Sequence, residues 1–214
     1  MDRSGELAQP RPFDDSTCVF CQVLKEPASP DMRPTYNTHL GSSERFIIVP
    51  ALGPLVKGHV LVVSRVHLPS LAAMGSKAIE EFGEVGEQVR ASYASLGSNL
   101  LEAEHGATLV DTGGSCITHA HINLIPECGH LHDILSGILP RLDVPPPFTN
   151  LSYVELPYIL MKRGNSFVIY DATQVPSQLI RRMVCRHLGR EDWDWAAFPR
   201  HNLVSDTIDL WRGL

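Results

Sequence analysis

The stretch THAHINLIP, Thr118 to Pro126, places His119, His121 and Asn123 at alternate positions among small or apolar residues. Side chains two apart on a strand point to one face. A strand here lines up two imidazoles and an amide, with Ala120, Ile122 and Leu124 turned into a core. Such a row reads either as a solvated polar strand face or as the few placed polar groups of a pocket. The glycine pair upstream, in TGGSC, favours the pocket. A neutral imidazole attacks phosphorus once its second nitrogen is held by a carbonyl or carboxylate. His121, in the middle of the row, is therefore a candidate nucleophile, with a phosphohistidine-type adduct as its product. The phosphate oxygens then need donors, which backbone N–H groups of the Gly113–Gly114–Ser115 turn and nearby hydroxyl and amide side chains supply. Asn123 offers an amide donor but does not titrate usefully, so it is no general acid. His59, in KGHV, either approaches the same pocket or holds a loop from a buried position.

Cys18 and Cys21 form a C-x-x-C pair, which fits a redox pair, half a metal site or a coincidence. A redox pair normally opens a helix in a βαβ setting, and none is legible around it. Half a zinc site needs two further ligands. His67 closes an apolar strand and His119 opens the histidine row. If those strands are neighbours, two thiolates and two imidazoles complete a Cys2His2 set, the donors zinc selects.

Positioning these groups requires strands and at least one packing helix. Phe46–Val49 and Val60–Val63 are β-branched runs separated by Pro and Gly signals and read as two strands. From Lys77 to Leu96 the apolar residues recur every three or four positions, an amphipathic helix whose role is core packing. ATLVD before the glycine pair reads as a strand antiparallel to the histidine strand. The proline-rich Pro140–Asn150 reads as a linker, followed by a strand, a Gly-Asn turn and a second strand within SYVELPYILMKRGNSFVIY. PSQLIRRMVCRHL reads as a helix with Pro176 in its first turn and Leu179, Met183 and Leu188 inward. Ser177, Gln178, Arg181 and Arg182 lie at its start, where an anion could bind, although a solvated basic face is the favoured reading. The tryptophans of WDWAAFP read as packing anchors, and Ser205 as the cap of a last short helix.

The chain has 214 residues, 43% hydrophobic and 20% charged, the composition of an ordinary globular protein. Its formal charge of −6 argues against a broad nucleic-acid-binding surface. No apolar run approaches the roughly 20 residues of a membrane span. MDRSGELAQPRPFDDS has no apolar h-region and reads as a flexible polar lead over 1–15. Five cysteines, an odd number in a long chain, do not form a secreted disulfide framework, and a reducing, cytoplasmic setting is expected.

The pieces CVFC, GPLVKGHVLVVSRVH and GGSCITHAHINLIP together resemble the histidine-triad (HIT) superfamily of nucleotide hydrolases and nucleotidyltransferases. They stand in the family's order over about residues 16–130. The resemblance implies an α+β HIT-like fold, with a five-stranded antiparallel sheet and a main helix, over 16–139. Residues 140–214 are then a C-terminal α/β extension packing on that core. It implies a structural zinc held by Cys18, Cys21, His67 and His119, and His121 as the nucleophile that attacks a nucleotide α-phosphate. His59 matches a histidine lining the family's site, and a homodimer is common in the family. Three positions depart from the pattern. Asn123 replaces the family's third histidine or glutamine. Cys116 stands where serine is common and Ser115 where many members have glutamine. Ala51 occupies the place of a ribose-binding Asp or Asn. A thiol donates poorly to phosphate, which moves that task from Cys116 to Ser115.

The expected catalytic set is thus His121, Asn123, Ser115 and His59, with Gly113, Gly114 and Cys116 as the phosphate-binding turn. The function expected is nucleotide hydrolysis or nucleotidyl transfer through nucleotidyl-His121. The alternative is a zinc-stabilised nucleotide-binding module without turnover. Zinc-dependent hydrolysis is disfavoured, because four protein ligands leave no open position for water.

Overall fold

The computed structural model describes residues 17–25, 35–97, 99–128, 130–163 and 165–214. The expected flexible lead over 1–15 lies outside the described residues. The first described helix, α1 (Val19–Lys25), begins directly after Cys18. A two-residue strand β1 (Gly41–Ser42) precedes the two apolar runs, which form β2 (Phe46–Pro50) and β3 (Val60–Ser64). Both are buried at every position, as β-branched runs covered on two faces are. The periodic segment forms α2 (Ser76–Ala94) and buries Ile79, Phe82, Val85, Val89 and Tyr93. Then come β4 (Leu101–Gly106), β5 (His121–Ile125) and a short α3 (His132–Leu135). The last third supplies β6 (Arg141–Leu142), β7 (Tyr158–Arg163), β8 (Ser166–Asp171), α4 (Leu179–His187) and α5 (His201–Arg212).

All eight strands join one antiparallel sheet in the order β1-β2-β3-β5-β4-β7-β8-β6. This corrects the expected five. An unpaired β4 would leave a row of exposed backbone donors and acceptors. β7 covers that edge, in a register running from Glu102 opposite Lys162 to Gly106 opposite Tyr158. One face of the sheet packs Phe46, Val62, Ile122, Leu124 and Leu160 against α2. The other packs Ile47, Leu61 and Val63 against Phe20 and Val23 of α1, and Ala103, Ile125 and Met161 against Ile180, Val184 and Cys185 of α4. His121 and Asn123 alternate with Ile122 and Leu124, so they fall on the α1/α4 face.

The histidine strand pairs with Val60–Ser64 on one side and Leu101–Gly106 on the other, not with ATLVD, and residues 107–120 form a long connection. β4 disguises itself by carrying Glu102, Glu104 and His105, all buried. Partners make this tolerable. Arg90 Nε and Nη2 donate to Glu102 at 2.9 and 2.5 Å. Lys162 Nζ lies 3.9 Å from the other oxygen of that carboxylate. Glu104 accepts the Leu71 N–H at 2.8 Å and the Tyr158 hydroxyl. Burial still pushes the Glu104 carboxyl up to about 7.

The proline-rich linker contains β6 and runs into a 3-10 helix at Phe148–Tyr153. Ser205 sits inside α5, its hydroxyl donating to His201 O at 3.3 Å, instead of capping a helix. α4 starts at Leu179, and Ile180, Met183, Val184 and Cys185 are its buried apolar residues, while Leu188 is exposed. Among the described residues no helix is long and apolar enough to cross a membrane.

Candidate functional site

Cys18 and Cys21 straddle the start of α1. His67 follows β3 and His119 precedes β5, and β3 pairs with β5 directly, Val63 opposite His121. The four residues therefore meet, all their donor atoms lying within 4.8 Å of one another. His119 Nδ1 is 3.4 Å from Cys18 Sγ, 3.6 Å from Cys21 Sγ and 3.2 Å from His67 Nδ1. Cys21 Sγ is 3.2 Å from His67 Nδ1. A tetrahedral ion with bonds of about 2.3 Å to sulfur and about 2.05 Å to nitrogen spaces such ligands by roughly 3.3–3.8 Å. The donor set fits a closed four-coordinate metal site. His119 Nε2–H donates to Ser64 O at 2.8 Å, which leaves the Nδ1 lone pair aimed at the cluster.

The Phe20 ring lies between this cluster and a cavity, its centroid 5.7 Å from the His119 ring and 4.9 Å from the His121 ring. The cavity holds about 50 Å³ and its lining includes His105, Ser115, His121, Asn123, Arg181 and Trp195. Cys116, Ile117 and Trp195 are shared with a wider groove of about 400 Å³ beside Cys18 and His67. His121 Nδ1 lies 2.7 Å from His119 O, and a carbonyl only accepts, so Nδ1 carries the proton and Nε2 the lone pair. Burial, more than the hydrogen bond opposes it, lowers the His121 pKa to about 4. Asn123 is oriented by the same logic. Leu55 N–H donates to His59 Nδ1 at 3.2 Å, so the His59 proton sits on Nε2 and is given to Asn123 Oδ1 at 3.1 Å. Asn123 Nδ2 donates to Ala103 O at 3.4 Å. His59 thus stands behind Asn123, fully buried.

Ser115 and Cys116 line the cavity, and the Ser115 hydroxyl donates to Ile117 O at 3.1 Å. Gly113 and Gly114 have φ of +53° and +78° and are pressed against the chain beside β7 and β8. A Cβ on Gly113 would come within 2.2 Å of Pro157 Cβ, and one on Gly114 within 2.3 Å of Val175 O. Close backbone approach and left-handed geometry both require glycine here. The carbonyl of Gly113 accepts His105 Nε2–H at 2.8 Å.

The arginines at the start of α4 form neither a solvated basic face nor an open anion site. Arg181 is buried, and its guanidinium donates to Trp193 O at 2.7 Å, Leu52 O at 3.2 Å and Gly53 O at 2.6 Å. Arg200 Nη1 donates to Pro54 O at 3.0 Å and Arg190 Nη1 to Leu55 O at 2.8 Å. Three guanidinium groups from the C-terminal segment hold four successive carbonyls of the β2–β3 loop. Asp192 sits between Arg190 and Arg200, which hold its carboxyl well below the usual range. Arg182 stacks over the Trp193 ring at 3.4 Å. Burial lowers Arg181 to about 10, so it stays charged at neutral pH beside the cavity. Sequence reasoning missed His105, which the misplaced strand hid, and it read Trp195 only as a packing anchor.

His59 yields a prediction. Burial first, and the Arg181 charge second, lower its pKa to about 3, against about 6.5 in an unfolded chain. Between those values the unfolded chain binds a proton that the folded chain does not. This contribution is nearly complete by about pH 7.5 and is lost as pH falls, by roughly 2.5 kcal/mol between pH 7.5 and 4.5. Urea unfolding at pH 7.5 and 4.5 measures it, and His59→Gln should flatten the pH dependence by that amount. An unchanged pH slope in the variant would refute the assignment.

No protein-family model matches the chain, and no curated protein does. Solved structures similar to it include a hypothetical protein from Leishmania major, 22% identical, spanning 51% of this chain and 72% of that one at a TM-score of 0.39. A hypothetical histidine triad nucleotide-binding protein from Sulfolobus tokodaii is 20% identical over 51% of this chain and 68% of its own, at a TM-score of 0.39. A Hit-like protein involved in cell-cycle regulation from Bartonella henselae is 13% identical over 51% and 79%, at a TM-score of 0.35.

Proposed function

We propose that the protein is a nucleotide hydrolase or nucleotidyltransferase working through a nucleotidyl-His121 intermediate. The observation that carries this reading is the His121 imidazole, its Nδ1–H fixed on His119 O at 2.7 Å and its other nitrogen facing the cavity. The Nε2 lone pair attacks the α-phosphorus. A P–N bond forms, the P–O bond to the leaving group breaks, and the leaving group departs with the electron pair. Water or another acceptor then cleaves the P–N bond and restores the imidazole. Ser115, Asn123 and the charged Arg181 line the cavity that would receive the transferred phosphoryl group. A cavity of about 50 Å³ takes that group, and the nucleoside lies in the adjoining groove against Trp195. Asn123 cannot protonate a leaving group, so the substrates are those that leave well unaided, such as a nucleoside triphosphate losing pyrophosphate. Zinc is the ion proposed at Cys18, Cys21, His67 and His119, since two thiolates and two imidazoles suit it. When bound there it holds structure, with all four positions taken by protein, and this set requires reduced thiols, consistent with a cytoplasmic setting.

A second reading, a zinc-stabilised nucleotide-binding module, draws on Asn123, whose amide is largely committed to His59 and Ala103, and on apolar Ala51 in the lining. Intact-protein mass separates the two. The protein is mixed with nucleoside di- and triphosphates, dinucleoside polyphosphates and nucleotide sugars, then quenched without acid. A nucleotidyl adduct is expected with at least one of them, and its mass names the nucleotide. Binding without adduct or product throughout the panel would establish the module instead.

A further inference from the structure

Of the titratable side chains lining the cavity, His121 is the proposed nucleophile, Arg181 is committed to carbonyls and Cys116 is exposed. That leaves His105. It lies on β4, beside β5, where Ala103 pairs with Asn123. Two residues on in β4 and two residues back in antiparallel β5, on the same face, stand His105 and His121. Both side chains line the same cavity. His105 is 8% exposed. Its Nε2–H is given to Gly113 O, so Nδ1 carries the lone pair, and among the described residues no protein group donates to it. A fixed imidazole with a free basic nitrogen in the cavity is the arrangement a general base needs.

We infer that His105 is a further catalytic residue, which takes the proton from the water that hydrolyses nucleotidyl-His121. The inference rests on the covalent reading above. In the step, the water oxygen bonds to phosphorus and the P–N bond to His121 breaks, returning its electron pair to Nε2. One water proton passes to His105 Nδ1 and then to solvent, and the product is a nucleoside monophosphate. Burial lowers the His105 pKa, so the ring is neutral and able to accept at pH 7. Neither Asn123 nor the charged Arg181 can take this proton.

Nucleoside 5′-(p-nitrophenyl phosphates) of the common bases test this, because p-nitrophenolate leaves without an acid and its colour reports the first step. His105→Gln keeps an amide donor for Gly113 O and removes the base. We expect its first-turnover release of p-nitrophenolate to stay within several-fold of native. Steady-state turnover should fall about 100-fold or more, with the nucleotidyl adduct accumulating on His121. Added imidazole should restore turnover to His105→Ala. The inference is overturned if both phases fall together with no adduct accumulating, which marks a structural role, or if steady-state turnover stays near native. If the native protein forms no adduct and His121→Ala keeps turnover, the covalent reading itself has failed, and the inference fails with it.

Discussion

His121→Ala is expected to lower nucleotide turnover by roughly 10⁴-fold or more, the scale seen when a covalent nucleophile is deleted, while metal content stays at one ion per chain. The two halves of this expectation come from one piece of geometry. His121 points into the cavity on the far side of Phe20, and its ring touches the metal donors only through the His119 carbonyl. Deleting the ring removes a hydrogen-bond donor from that carbonyl, yet His119 remains anchored through Nε2–H to Ser64 O. The stability cost should be about 1 kcal/mol. Turnover, intact mass and elemental analysis on one preparation make the check. Activity that survives this substitution and vanishes on chelation would point to metal-dependent hydrolysis and sink the covalent mechanism.

The residues that announce themselves in the sequence are those whose chemistry repeats at short range. Cys18 and Cys21 share one helical turn, and His119, His121 and Asn123 alternate as a strand does, so their grouping is legible before any fold is known. The runs that become β2, β3 and α2 are equally open, because apolar periodicity survives without tertiary context. β4 is not. Its glutamates and histidine resemble surface residues until Arg90, Lys162 and Tyr158, 12 to 60 positions away, neutralise or bond them. That one displaced strand concealed His105. Arg181 failed differently: an arginine near a helix start looks solvated, and only the Leu52 and Gly53 carbonyls reveal it as a buried clamp. Gly113 and Gly114 suggested a phosphate turn, and the structure adds two further reasons for glycine there, the close approach of Pro157 and Val175 and a left-handed backbone.

Removing the metal should destabilise the chain and disable His121 together. Structural zinc contributes about 10–16 kcal/mol to small domains that have little else. Here three apolar clusters persist without it, so a loss of roughly 5 kcal/mol is expected, lowering Tm by about 10–20 °C for a domain of this size. Cys21→Ser should cost more than Cys18→Ser, because Cys21 is buried and a hydroxyl there is left without an ion, while Cys18 is half-exposed. The consequence for the reaction follows from the shared strand end. An ion held by the four donors would fix the His119 ring, and the His119 carbonyl holds the proton on His121 Nδ1, leaving Nε2 with the lone pair that the proposed attack uses. A chelated protein, kept well below its lowered Tm and folded by circular dichroism, should therefore form adduct at least about tenfold more slowly, since misplacing a reacting group by an ångström costs up to about 100-fold. Restoring zinc should return both Tm and rate. Adduct formation at the native rate by the folded apo form would separate the two sites and show that His121 needs only its strand.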